Sequence, residues 1–228
     1  MAQRQKQASA GNEIGDIYTK IESFINRNGT IITTVVGVVL AVVIGVMGFR
    51  FFYLQPQQKE AQQQMFKAQL YFEKDSFQLA LQGDANYPGF LDIIKDYKWT
   101  DAANVANYYA GISYLQTGDY QGAVEFLSDF STDDQMMRSI KFGAMGDAYM
   151  ELGQNQKAID HFLKAAKADP NKFSAPIYLK KAAMAAEQSK QYAKAEEYYK
   201  RLSKKYPETS EGKEAEKHLA RVQAKTKS

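Results

Sequence analysis

The sequence predicts an all-α protein: a single N-terminal transmembrane helix, then an α-solenoid of stacked helical hairpins closed by a C-terminal capping helix. Two observations predict it. Residues 30–49, Thr30 followed by IITTVVGVVLAVVIGVMGF, carry no charge and lie between Arg27 and Arg50. At about 1.5 Å rise per residue, a helix of that length covers the roughly 30 Å hydrocarbon core of a bilayer. Farther along, glycine, tyrosine and alanine recur at a constant offset of 35 residues. A fixed period of that size marks two-helix units that bury their apolar faces only by stacking on neighbours.

Residues 1–29 are polar and short, and are expected to form a cytoplasmic tail. Ile14, Ile17, Ile21, Phe24 and Ile25 recur there at helical spacing, the pattern of an amphipathic helix lying on a membrane surface. The span is assigned to 30–54, ending in the interfacial Arg50-Phe51-Phe52-Tyr53. A cleaved signal peptide is the competing reading, with Val46-Met47-Gly48 as the passable cleavage triplet. Its apolar core would be shorter, about 7–15 residues, so an uncut anchor is expected. No cysteine is present to carry a lipid. Arg4, Lys6, Lys20 and Arg27 precede the span, against Arg50 and Lys59 just after it. This excess favours a cytoplasmic N-terminus and a domain outside the cytoplasm, periplasmic in a Gram-negative cell, as a single-pass protein of the bacterial inner membrane. Within the span, Thr33, Gly37, Ala41 and Gly45 recur every four residues along one helix face. Small residues so spaced admit another helix closely, which predicts a membrane partner or a homodimer; glycine is also ordinary in membrane helices.

Residues 55–103 are assigned to a linker helix and a divergent first repeat. The stretch 57–81 reads as one helix or as two broken near Asp75, with Ala61, Met65, Ala68, Phe72 and Leu79 as buried candidates. Asn86-Tyr87-Pro88-Gly89 breaks the pattern, and 90–97 reads as a short helix. Trp99 is expected to anchor the core or a contact between repeats.

Residues 104–209 carry the repetition. Gly111, Tyr114, Gly118, Tyr120 and Ala123 align with Gly146, Tyr149, Gly153, Asn155 and Ala158. Asp169-Pro170-Asn171 ends the second unit and Tyr206-Pro207-Glu208 ends a third, 37 residues later. Gly111, Gly146 and Ala183 are small where paired helices cross; Leu127, Phe162 and Tyr199 are expected to fill the seam. At these residues the sequence resembles the tetratricopeptide repeat family, most closely over 139–171. The first unit lacks the closing proline, and the third has Ala186 where an aromatic is expected. Residues 210–228 are assigned to a capping helix, with Ala215, Leu219 and Val222 on its apolar face.

Chemistry is not expected. There is no glycine-rich phosphate loop, HExxH, G-x-S-x-G or carboxylate cluster at metal-ligand spacing, and no cysteine. His161 and His218 are far apart, and Asp133-Asp134 reads as a helix cap or turn. Neither an enzyme nor a bound cofactor is expected. A net charge of +3 excludes bulk nucleic-acid binding. The distribution is uneven: residues 75–134 carry a net −8 and 135–228 a net +8. That split reads either as a solvated dipole or as a basic face meeting acidic lipid or an acidic partner.

The resemblance implies a concave groove made by the first helix of each pair. Its positions map to Val105, Tyr108, Ile112, Leu115 and Gln116; to Ile140, Gly143, Asp147, Met150 and Glu151; and to Ile177, Lys180, Met184, Glu187 and Gln188. The groove is apolar and methionine-bearing with scattered charges, suited to extended or helical apolar segments unless neighbouring helices cover it. Tyr108 and Ile112 stand where some relatives place a basic-and-asparagine clamp. The whole plan resembles the YfgM-type family, ancillary subunits of the bacterial SecYEG translocon. That resemblance implies a non-enzymatic scaffold whose protein partners are translocon subunits and a periplasmic chaperone, or chains emerging from the channel. A structural scaffold of another cell-envelope assembly or secretion complex, and a cytoplasm-facing membrane-tethered adaptor, are the alternative readings.

Overall fold

A computed structural model describes residues 2–226, with side chains for Thr19 and for 22–226. Ile14, Ile17 and Ile21 of the expected amphipathic face lie outside the described side chains; Phe24 and Ile25 are exposed. The chain divides into two units, Met1–Pro56 and Gln57–Ser228.

The first unit holds α1, Ala2–Phe49, interrupted by non-helical dihedrals at Asn28. Apolar sequence begins just past that kink. Among the described residues, one helical stretch is long and apolar enough to cross a membrane by length and composition, and none of its apolar window is buried. Thr33 and Thr34 donate their hydroxyls to the carbonyls of Gly29 and Thr30 at 3.0 and 2.8 Å, so neither polar group needs an outside partner. A π-helical turn, Arg50–Leu54, follows. Phe49 stacks on Tyr53 across it at 5.0 Å between centroids, and Phe51 and Phe52 meet edge to face.

The second unit begins in α2, Gln55–Glu73, which buries Ala61, Met65 and Ala68. Asp75 takes a left-handed φ of 55° and separates α2 from α3, Phe77–Gln82. Phe72 packs at the edge of this first core cluster, but Leu79 is 43% exposed; Ala80 and Leu81 point inward instead. The restart after Asp75 shifts the helical phase, which a single unbroken periodicity cannot anticipate. After an isolated antiparallel bridge between Gly83 and Pro88 comes α4, Phe90–Asp96, and no strand forms among the described residues. Trp99 is not a core anchor. It is 70% exposed, beneath the Lys98 ammonium, while the neighbouring Thr100 is buried and caps the next helix through the Ala103 N–H.

Six helices then alternate as inner and outer partners: α5, Asp101–Thr117; α6, Tyr120–Asp129; α7, Gln135–Glu151; α8, Asn155–Ala168; α9, Ser174–Gln188; α10, Tyr192–Lys205. Asp119 and Asp134 cap α6 and α7 by accepting from the Gly122 and Met137 N–H groups. Each pair crosses at a small residue. A Cβ on Gly111 would stand 2.6 Å from Leu127 Cγ, and one on Gly146 2.5 Å from Phe162 Cε1. Ala183 is fully buried in the third pair, and Leu127, Phe162 and Tyr199 fill the seams at no more than 2% exposure. Ser139, early in α7, donates to the Ala165 carbonyl late in α8, so paired helices are antiparallel and successive inner helices run parallel. The last helix, α11, Ser210–Thr226, covers the open end with Ala215 and Val222 buried.

Candidate interaction groove

Parallel inner helices α5, α7, α9 and α11 leave one face uncovered by outer helices. Tyr108, Ile112 and Leu115 of α5 are half-buried on this side, packed against the cluster around Ala123, Val124, Leu127 and Met145. Burial pushes the Tyr108 phenol above its ordinary pKa, so it stays neutral. Met150 of α7 packs against the C-terminal cluster, whereas Met184 of α9 is 49% exposed. Glu151, Gln116 and Gln188 are exposed, and so is Ile177. Gly143 offers no open floor. A Cβ there would meet the Tyr178 ring at 2.1 Å, so α9 lays an aromatic side chain over that position.

Three of the four charged positions, Asp147, Lys180 and Glu187, are already engaged. Asp147 of α7 accepts twice from Lys181 Nζ of α9, both at 2.8 Å. Lys180 of α9 pairs with Glu214 of α11. Glu187 of α9 accepts from Arg221 Nε and Nη2 of α11 at 3.0 and 2.7 Å, and from Lys225 Nζ at 3.2 Å. Burial acts to raise the Glu187 pKa, but the hydrogen bonds from Arg221 and Lys225 outweigh it and hold the carboxyl below its ordinary value. The Asp147–Lys181, Lys180–Glu214 and Glu187–Arg221 pairs each join residues 34 apart. That is one helical turn short of the 37-residue offset, so each charge reaches diagonally to the next inner helix.

Tyr178 and the α11 residues Glu214, Arg221 and Lys225 escaped sequence reasoning because a repeat pattern assigns positions helix by helix. Pairs that exist only after stacking are invisible to it. The 34-residue spacing of opposite charges was the available signal. On the span, Thr33, Gly37, Ala41 and Gly45 are all exposed, and a Cβ at Gly37 or Gly45 would meet nothing within 4 Å. Groove and span residues belong to separate units.

Residues 144–209 match the family model described as tetratricopeptide repeat. Antiparallel helix pairs of the same kind continue outside that segment. One solved structure similar to this chain holds the nearly identical TPR-like repeats of a Podosopora anserina protein described as a kinesin light chain, in a singly substituted form. The identity is 18%, the TM-score 0.56, and the match covers 75% of this chain and 88% of that one. A structure of the same repeats without that substitution matches at 17% identity and TM-score 0.56, covering 75% and 89%. At such identities the likeness concerns the fold alone: a TPR-like helical solenoid. No curated protein matches the chain in sequence.

Proposed function

We propose that this protein is a non-enzymatic, membrane-anchored interaction scaffold that accompanies the bacterial Sec translocon. In this reading its N-terminus is cytoplasmic and its repeats are periplasmic, where they recruit a chaperone or contact emerging chains. The observation that supports it is the joining of a bilayer-length, fully exposed apolar helix to a solenoid whose inner face is apolar between internally paired charges. Because Asp147, Lys180 and Glu187 already have partners, specificity falls to Tyr108, Ile112, Leu115, Met150 and Met184 and to the exposed Glu151. Such a surface suits an apolar segment better than an acidic tail. Thr33, Gly37, Ala41 and Gly45 would carry docking to a translocon helix.

Affinity purification of the full chain in mild detergent tests this reading. Translocon subunits should be recovered, and the Gly37→Leu, Ala41→Leu double variant should recover several-fold less. Absence of those subunits from the wild-type material overturns the translocon assignment. Activity of a cytoplasm-only reporter fused after Ser228 would overturn the orientation.

A further inference from the structure

The edge of the repeat domain formed by the N-termini of its inner helices has an unusual composition. Trp99 lies just before α5, Met136 in the first turn of α7, and Phe173 directly before α9. They are 37 residues apart in each step and are 70%, 57% and 84% exposed. Inner helices run parallel, so the stacking places all three along one edge. At the opposite edge the turns 117–119, 152–154 and 189–191 read Thr-Gly-Asp, Leu-Gly-Gln and Ser-Lys-Gln, with Leu152 half-buried. The apolar side chains are therefore segregated to one end of the inner helices, at repeating positions, where no fold requirement holds them.

That edge is also where the domain's own chain begins. Gln58 Oε1 accepts from the Ala102 N–H at 3.2 Å, and Glu60 is hydrogen-bonded to Tyr97. Trp99 falls between those two contacts in sequence. Gln58 follows Tyr53 by five residues, which span at most about 18 Å fully extended. The segment that enters this edge is thus, in sequence, the one that leaves the aromatic end of the apolar helix. Tryptophan, with an apolar ring and one polar N–H, is favoured at the boundary between headgroups and hydrocarbon. Lys98 and Lys172 adjoin Trp99 and Phe173 and can hold their ammonium groups among phosphates while their stems lie along the apolar layer. Asp101, Asp133, Asp134 and Asp169 outnumber those two ammonium groups, so apolar insertion rather than charge drives the contact.

We propose that this edge is a lipid-contacting surface, with Trp99, Met136 and Phe173 seated in the headgroup layer of the membrane that holds the span. The inference rests on the membrane-anchored reading above. Trp99 is the only tryptophan in the sequence and serves as its own reporter. The full chain is reconstituted into phosphatidylcholine vesicles containing lipid brominated near the headgroup, which quenches nearby indole. Trp99 should lose most of its emission. So should the sole tryptophan of a Trp99→Phe, Phe173→Trp variant, while that of a Trp99→Phe, Thr117→Trp variant, on the opposite edge, should keep it. Retention in the vesicles after alkaline extraction, with unquenched Trp99, overturns this inference and leaves the anchor standing. Release by the alkaline wash overturns the anchor itself, and the lipid edge with it.

Discussion

At Lys190 the backbone takes a left-handed φ of 59°, at the position where the two preceding units use Gly118 and Gly153 with φ of 86° and 69°. The same bond closes all three turns: the next residue's N–H donates to a carbonyl five residues back, as Gln154 does to Tyr149 and Gln191 to Ala186. The geometry is therefore imposed on Lys190 by the repeat. A side chain in that region costs about 1–2 kcal/mol, against which glycine gives back about 0.5–1 kcal/mol of unfolded-chain entropy. Lys190→Gly should stabilise the protein by about 0.5–1 kcal/mol, read from the midpoint of urea unfolding. Glycine announced this turn in the first two units, and its loss hid the third. The reverse failure befell Trp99, whose residue type predicted burial. Its position, between the end of α4 and the buried cap Thr100, leaves the indole outside.

Among the elements, α11 shows where sequence pattern stops being informative. The spacing of Ala215, Leu219 and Val222 was legible as an amphipathic face. Its second role, as the last inner helix pairing with α9 through Glu214, Arg221 and Lys225, depended on stacking and was not. Glu187 receives two of those three cation–carboxylate contacts and is itself only 11% exposed. Its removal would take this carboxylate away from Arg221 and Lys225, although both are about half exposed and rehydrate readily. Glu187→Ala should therefore cost about 1–2 kcal/mol rather than the larger loss expected of a fully buried pair. Amide exchange should accelerate across α11 and remain unchanged in α7 and α8; uniform acceleration would mean that α11 does not open separately. The small-residue crossings at Gly111, Gly146 and Ala183 were readable in advance because a repeat restates the same steric requirement.

For the whole molecule, the 35- and 37-residue periods made the stack legible, whereas the charges that join successive inner helices became visible only with it. Glu187 and two histidines give the fold a dependence on pH. His161 lies half-buried against Tyr149 and Phe142, and His218 stacks on Tyr199 at 5.0 Å. Burial lowers the pKa of both, reinforced at His218 by the Arg221 guanidinium, which donates to its Nδ1 at 2.8 Å. Tyr199, buried beside His218, has its phenol pushed up to about 12 and stays neutral. The unfolded chain takes up protons at the ordinary histidine value of 6.5 before the folded chain does. Stability is therefore full above that value and declines as pH falls below it. Glu187 adds a second decline below the ordinary carboxyl value of 4.5, because its folded pKa is depressed. Melting temperature should fall between about pH 6.5 and pH 5, and His161→Gln, His218→Gln should flatten that first stage while sparing the second. All three diagonal ion pairs tie neighbouring inner helices together, while the outer helices are held by apolar contacts that salt does not screen. Electrolyte shortens the reach of the first set alone. Contacts between neighbouring inner helices should therefore loosen as ionic strength rises while the apolar seams of each pair hold, so that brine acts on one side of the solenoid before the other.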